Sequence, residues 1–206
     1  NTGTHPDRIF VTGSPILKYI KPKVPHNGYN VVYSPEHWDR EIAENFIVKG
    51  ELSRLKGVNV ITKILDGQHN PNHYQNPVSS NRLGEGHLEK CIEVLTTADV
   101  VVAVGEGTFE LLAQAMDIPV VIADIWIPKA CDGDDRYKDY YREYSNACTR
   151  VKDINKLNST VYDALKHPEK LREERKKIVI EDGGIDNIDP VQKVCSRILI
   201  EGQCGG

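Results

Sequence analysis

The chain has 206 residues, 39% of them hydrophobic and 27% charged, with a formal net charge of −4. That length suits one sizeable α/β domain, and the slightly acidic balance argues against a nucleic-acid-binding surface. No apolar run approaches the ~20 residues of a membrane span, the N-terminus lacks a signal-peptide pattern, and five cysteines without a CxxC spacing read as thiols in a reducing cytoplasm.

Strand-then-helix units are expected from end to end. Arg8 to Val11 reads as the first strand, closed by Thr12-Gly13-Ser14-Pro15. A polar segment, Lys21 to Asn30, leads to a second strand, Val31 to Tyr33, and the loop Ser34-Pro35-Glu36-His37-Trp38. A helix follows from about Asp39 to Leu55, with Ile42, Phe46, Ile47, Leu52 and Leu55 at helical spacing. Val58 to Thr62 is the third strand. The stretch Asp66 to Gly86 is longer than ordinary αβ connections, as ligand-covering loops and mobile insertions both are.

His87 to Thr97 is helical and leads into the most informative unit. Val100 to Val104 is a continuous β-branched run, as in a strand covered on both faces of a parallel sheet. Gly105-Glu106-Gly107-Thr108 then turns into a helix that ends at Pro119, before a strand at Val120 to Ala123. An acidic loop, Cys131 to Asp135, and a tyrosine-rich segment, Tyr137 to Tyr144, precede a short sixth strand at Cys148 to Val151. Helices are expected at Asp153 to Lys166, Pro168 to Ile180 and Pro190 to Ile200, with Pro168 and Pro190 in their first turns. The turn Asp182-Gly183-Gly184 separates the last two. These elements predict a single Rossmann-like domain over residues 1–206. It is a doubly wound α/β/α fold of about six parallel strands, in the order 3-2-1-4-5-6.

The helix start at Gly105, Glu106, Gly107 and Thr108 is the leading candidate site. Exposed amides there suit a nucleotide pyrophosphate; the plainer reading is a strand-to-helix turn with Thr108 as N-cap. Glu106, awkward beside phosphate, would face ribose or base. Gly13 and Ser14 could approach the phosphates at the sheet's switch point or form a structural turn. His37, in a loop after its strand, could donate a proton or bind phosphate, and could equally be a surface histidine. Lys63, at a strand end, could neutralise phosphate or be solvated. No metal is expected: Pro71 between His69 and His73 breaks helical ligand spacing, and Asp132, Asp134 and Asp135 lack a calcium loop's distal glutamate. Gly105-x-Gly107 has no third glycine, which argues against NAD.

Several segments together resemble the C-terminal, donor-binding half of the GT-B glycosyltransferase superfamily. Within it the chain looks most like the UDP-N-acetylglucosamine 2-epimerases and the CDP-glycerol glycerophosphotransferases. Pro6 to Pro15 is similar to the segment that crosses between the two halves, and Val31-Val32-Tyr33-Ser34-Pro35 to a strand and loop ending in Tyr-x-Pro. Val60 to Lys63 resembles the third strand with its terminal basic residue, and Ala98 to Pro119 the donor-phosphate loop and helix. Tyr137 to Tyr144, Val151-Lys152-Asp153 and Asp182-Gly183 follow the closing segment. The chain departs from the pattern at Leu111-Leu112, where many relatives carry a ribose-binding carboxylate (Glu110 is the nearest), and at Ile64-Leu65-Asp66, where the transferases have His-Pro.

The resemblance implies a donor site drawing on Gly13, Ser14, Pro35, Lys63, Gly105, Glu106, Gly107, Thr108 and Glu110, with His37 as a catalytic candidate. It implies no cofactor; the substrate would be a nucleotide-diphosphate sugar or polyol. It further implies a glycosyltransferase working with an N-terminal acceptor half or partner subunit that this chain lacks, so that the isolated chain is inactive. Alternatives are a 2-epimerase-like half-enzyme and a non-catalytic nucleotide-sugar-binding module. No nucleic-acid partner and no transmembrane segment are expected, and the location would be cytoplasmic or at the membrane periphery.

Overall fold

Side chains from five strands point alternately into two helix layers, and this alternation builds the architecture. The computed structural model describes residues 20–35, 42–63, 87–105, 107–125 and 146–181. The strands are β1 (Tyr29–Ser34), β2 (Val58–Thr62), β3 (Val100–Ala103), β4 (Val120–Ala123) and β5 (Cys148–Val151). All pair in parallel, in the order β2-β1-β3-β4-β5. The helices are α1 (Ile42–Leu52), α2 (His87–Thr96), α3 (Thr108–Ala115), α4 (Leu157–Lys166) and α5 (Arg172–Glu181).

On one face Val31, Tyr33, Val100, Val102 and Val121 pack with Val48 and Leu52 of α1 and Leu157, Val161 and Leu165 of α4. On the other, Val32, Val101, Ala103, Val120 and Ile122 meet Leu95 of α2 and Phe109, Leu112 and Ala113 of α3. β3 and β4 are buried along their whole length, which explains their uninterrupted β-branched composition. The fold is the expected Rossmann-like α/β/α sandwich.

The strand order differs from the expected one. The second strand was expected to reach the fourth only through the first, yet β1 pairs directly with β3, Val31 opposite Val100 through Ser34 opposite Ala103. Asp99 seals this neighbourhood at the amino ends of the strands. Its amide donates to the Asn30 carbonyl at 2.8 Å, and its carboxylate accepts the Asn30 amide at 2.8 Å. Lys23 completes the pairing at 2.6 Å and ties the incoming segment beneath the sheet. The expected first strand, Arg8 to Val11, lies outside the described residues, as do the segments Asp66 to Gly86, Cys131 to Asp135, Tyr137 to Tyr144 and Pro190 to Ile200.

Helix registers hold two further corrections. Of the stripe expected on α1, Phe46 is 81% exposed and Ile47 37% exposed, while Asn45, Val48 and Leu52 are buried. The Tyr33 hydroxyl donates to Asn45 Oδ1 at 2.6 Å, so a polar residue takes the inward position and turns the phenylalanine out. Pro168 does not open a helix either, because α5 begins at Arg172. The carbonyls of Pro168 and Lys170 instead point at Arg175, whose guanidinium donates to both at 2.7 Å.

Arg175 is 1% exposed and also bonds Asp117 Oδ1 through Nε (2.9 Å) and Nη2 (2.6 Å). Arg172 holds the other Asp117 oxygen at 2.7 Å. Asp117 has φ 57°, a left-handed conformation in which a glycine is usual after a helix. A glycine there would offer no carboxylate for the two arginines that fasten α5 to the end of α3.

Candidate functional site

The chain runs outward from β1 to β2 and then returns past β1 to β3. The carboxyl ends of β1 and β3 therefore flank the point where the winding reverses, the place where ligands of open α/β sheets collect. Ser34 ends β1, Pro35 follows it buried, Lys63 follows β2, and Gly105 lies buried just beyond β3. α3 starts at the same edge. The Lys63 amide donates to the Tyr33 carbonyl at 2.8 Å, which fixes the lysine beside β1. Its Nζ stands 4.0 Å from the centroid of the Phe109 ring, at cation–π distance.

At the start of α3 the N-cap is Gly107, not Thr108. Gly107 has φ −144° and ψ −161°, extended backbone that any residue adopts, so turn geometry alone does not call for glycine. A Cβ there would meet Glu110 Oε2 at 3.4 Å and nothing else within 4 Å. Thr108 is the first helical residue, and both it and Gly107 are exposed.

Glu110 is the centre of the site's electrostatics. It is 4% exposed, and its Oε2 accepts the Gly107 amide at 2.8 Å. Its own amide and the Ser34 hydroxyl also donate to the carboxylate, and the charge of Lys63 acts on it. Burial nonetheless dominates and pushes the carboxyl above its ordinary 4.5, against the opposing pull of Lys63, Ser34 and the two amides. The first four amides of a helix lack intrahelical acceptors. Here those of Gly107 and Glu110 turn to the Glu110 carboxylate; the other two belong to Thr108, which is exposed, and Phe109, which is buried.

A raised pKa means that the folded chain binds this proton more tightly than the unfolded one. Stability should therefore be greatest below about pH 4.5 with respect to this group, and decline as pH rises toward the folded pKa. Glu110→Gln keeps an acceptor for Gly107 and removes the buried charge. Thermal unfolding from pH 4.5 to 8 should show this decline shrink in the variant. At neutral pH its midpoint should be higher than that of the native chain. A lower midpoint at every pH would show that the ionised carboxylate is a net stabiliser.

Of the residues singled out in the sequence, Pro35, Lys63, Gly105, Gly107, Thr108 and Glu110 lie together at this edge of the sheet. Gly13, Ser14, His37 and Glu106 lie outside the described residues. Ser34 and Phe109 were not singled out. Ser34 could have been noticed as a hydroxyl at a strand's carboxyl end, and the inward Glu110 as the acidic third residue of a capping pattern, Gly107-x-x-Glu110. Among the described residues no cluster of three or more His, Cys, Asp or Glu could hold a metal ion, and no helix is long and apolar enough to cross a membrane.

No protein-family model and no curated protein matches the sequence. Solved structures do. One structure of the wall teichoic acid polymerase TagF, soaked with CDPG for 30 minutes, is 15% identical with a TM-score of 0.51; the match covers 98% of this chain and 54% of that one. The kitacinnamycin glycotransferase is 14% identical over 84% of this chain and 45% of its own, with a TM-score of 0.43. SnogD from Streptomyces nogalater, a glycosyltransferase, is 12% identical over 91% and 54%, with a TM-score of 0.38. At such identities the likeness to TagF is one of fold alone. The chain spans about half the length of these structures.

Proposed function

We propose that this chain is the donor-binding half of a GT-B-type transferase that uses a nucleotide-activated sugar or polyol. The observation that supports this most is the convergence of Lys63, Ser34 and the start of α3 where the sheet's winding reverses. In this reading the amides of Thr108 and Phe109 hold the donor diphosphate, aided by the helix dipole, which contributes ~0.3–1 kcal/mol per favourable charge and up to ~2 when partly buried. Lys63 supplies the counter-charge from β2, and Pro35 shapes the wall at the end of β1. Preorganised donors of this kind stabilise a diphosphate leaving group as charge builds on it. The acceptor and the general base would come from a second half, which fits the half-length match to TagF.

Calorimetric titration of the chain with UDP, CDP, GDP and their sugars or polyols tests the proposal. One nucleotide diphosphate family should bind in the micromolar range, with little turnover by the chain alone. No binding by any of them at millimolar concentration would instead favour a module that keeps the fold without the ligand.

A further inference from the structure

The sequence contains one Asn-Gly pair, Asn27-Gly28, in the segment that leads beneath the sheet into β1. Both residues are exposed. Gly28 has φ 76°, a left-handed conformation that glycine adopts without strain, and a Cβ built on it would meet nothing within 4 Å. Its amide nitrogen has no hydrogen-bond acceptor among the described residues. An open bend therefore sets an unbonded main-chain amide directly after an exposed asparagine side chain. Other described asparagines lack this combination. Asn30 donates to the Thr97 carbonyl at 3.0 Å, Asn59 to Asn30 at 3.1 Å and Asn158 to the Glu51 carbonyl at 3.0 Å. Asn146 is exposed but is followed by Ala147, which is buried.

We infer that Asn27 is a site of spontaneous covalent modification in the folded chain, converting through a succinimide to aspartate and isoaspartate and loosening the segment that enters β1. The Gly28 nitrogen loses its proton to solvent base and bonds to Asn27 Cγ. The Cγ–Nδ2 bond breaks, and the side-chain nitrogen leaves as ammonia. Water then opens the ring at either carbonyl, so the net change is amide and water to carboxyl and ammonia, with no oxidation or reduction. Opening at one carbonyl restores the main chain with aspartate. Opening at the other routes the main chain through the side chain and adds one carbon to it. That carbon falls between fixed points. On one side the Val24 amide donates to the Thr96 carbonyl at 2.8 Å, and His26 Nε2 stands 3.5 Å from Asp99 Oδ2. On the other the Asn30 amide donates to the same Asp99 carboxylate at 2.8 Å. A longer main chain cannot keep all of these contacts without strain.

Incubation of the native, folded chain at pH 5 and pH 8.5 tests the site. Tandem mass spectrometry of the tryptic peptide spanning residues 24–40, which carries both Asn27 and Asn30, reads the conversion against an unincubated sample. Asn27 should gain the mass difference between an amide and a carboxyl, faster at pH 8.5 and many-fold faster than Asn30. Asn27→Gln, whose ring closure needs one more carbon, should stay unconverted at this position and fold normally, because the side chain is exposed. Conversion at Asn27 only after unfolding in urea, or no faster than at Asn30, would overturn the site. The converted fraction, separated by anion exchange, should unfold at a lower temperature than Asn27→Asp, which carries the same charge without the added main-chain carbon. Equal midpoints would overturn the loosening and leave the modification standing.

Discussion

Replacing Arg175 by alanine should cost about 3 kcal/mol or more, a large share of the ~5–15 kcal/mol that holds a domain folded. The side chain is 1% exposed, and four hydrogen bonds converge on its guanidinium. Truncation strands the carbonyls of Pro168 and Lys170 beside a cavity, and a buried acceptor without a donor costs ~1–3 kcal/mol. The Asp117 carboxylate is 45% exposed and rehydrates, which keeps the estimate at the lower end of the range for broken buried pairs. Arg175→Lys should recover little, because an ammonium cannot reach two carbonyls and a carboxylate from one point. Asp117→Asn, which leaves the arginine–carbonyl bonds intact, should cost only about 1 kcal/mol. Urea unfolding with a constant m-value measures all three. A loss below 1 kcal/mol for Arg175→Ala would mean that α5 is not fastened to α3 through this residue.

Thr108→Glu should weaken diphosphate binding about a hundredfold, equivalent to ~2.7 kcal/mol. Thr108 is exposed in the first turn of α3, where an added carboxylate is favoured by the helix dipole, so the fold should be unharmed. In the proposed site the same carboxylate lies beside the first amides of α3, repels the ligand and competes for them. Thr108→Gln, of equal size and no charge, separates repulsion from bulk and should lose much less. Calorimetry with the nucleotide that binds the native chain reads the effect. Native affinity in Thr108→Glu would remove the donor site from the start of α3, whatever becomes of the fold.

Much of this protein is legible in local pattern. Val58 to Thr62, Val120 to Ala123 and Cys148 to Val151 are strands with the expected bounds; β4, covered on both faces, has no polar position, while β2 and β5 at the ends of the described sheet carry exposed Asn59, Thr149 and Arg150. The turn into α3 and the gathering of Lys63, Gly107, Thr108 and Glu110 follow from topology, since every βα connection of a parallel sheet opens at the same edge. Other features depend on partners far away in the chain. β1 lies against β3, and Asn30 and Asp99, 69 residues apart, bond where the two strands begin. In a helix that reads REERKKIVIE, Arg175 looks like one more solvated charge until Asp117, 58 residues earlier, supplies its carboxylate. The inward faces of Asn45 and Glu110 have the same origin. Hydropathy period tells which residues suit a buried face, but a polar group enters one only where donors and acceptors from other elements meet it, and that meeting exists only in the folded chain.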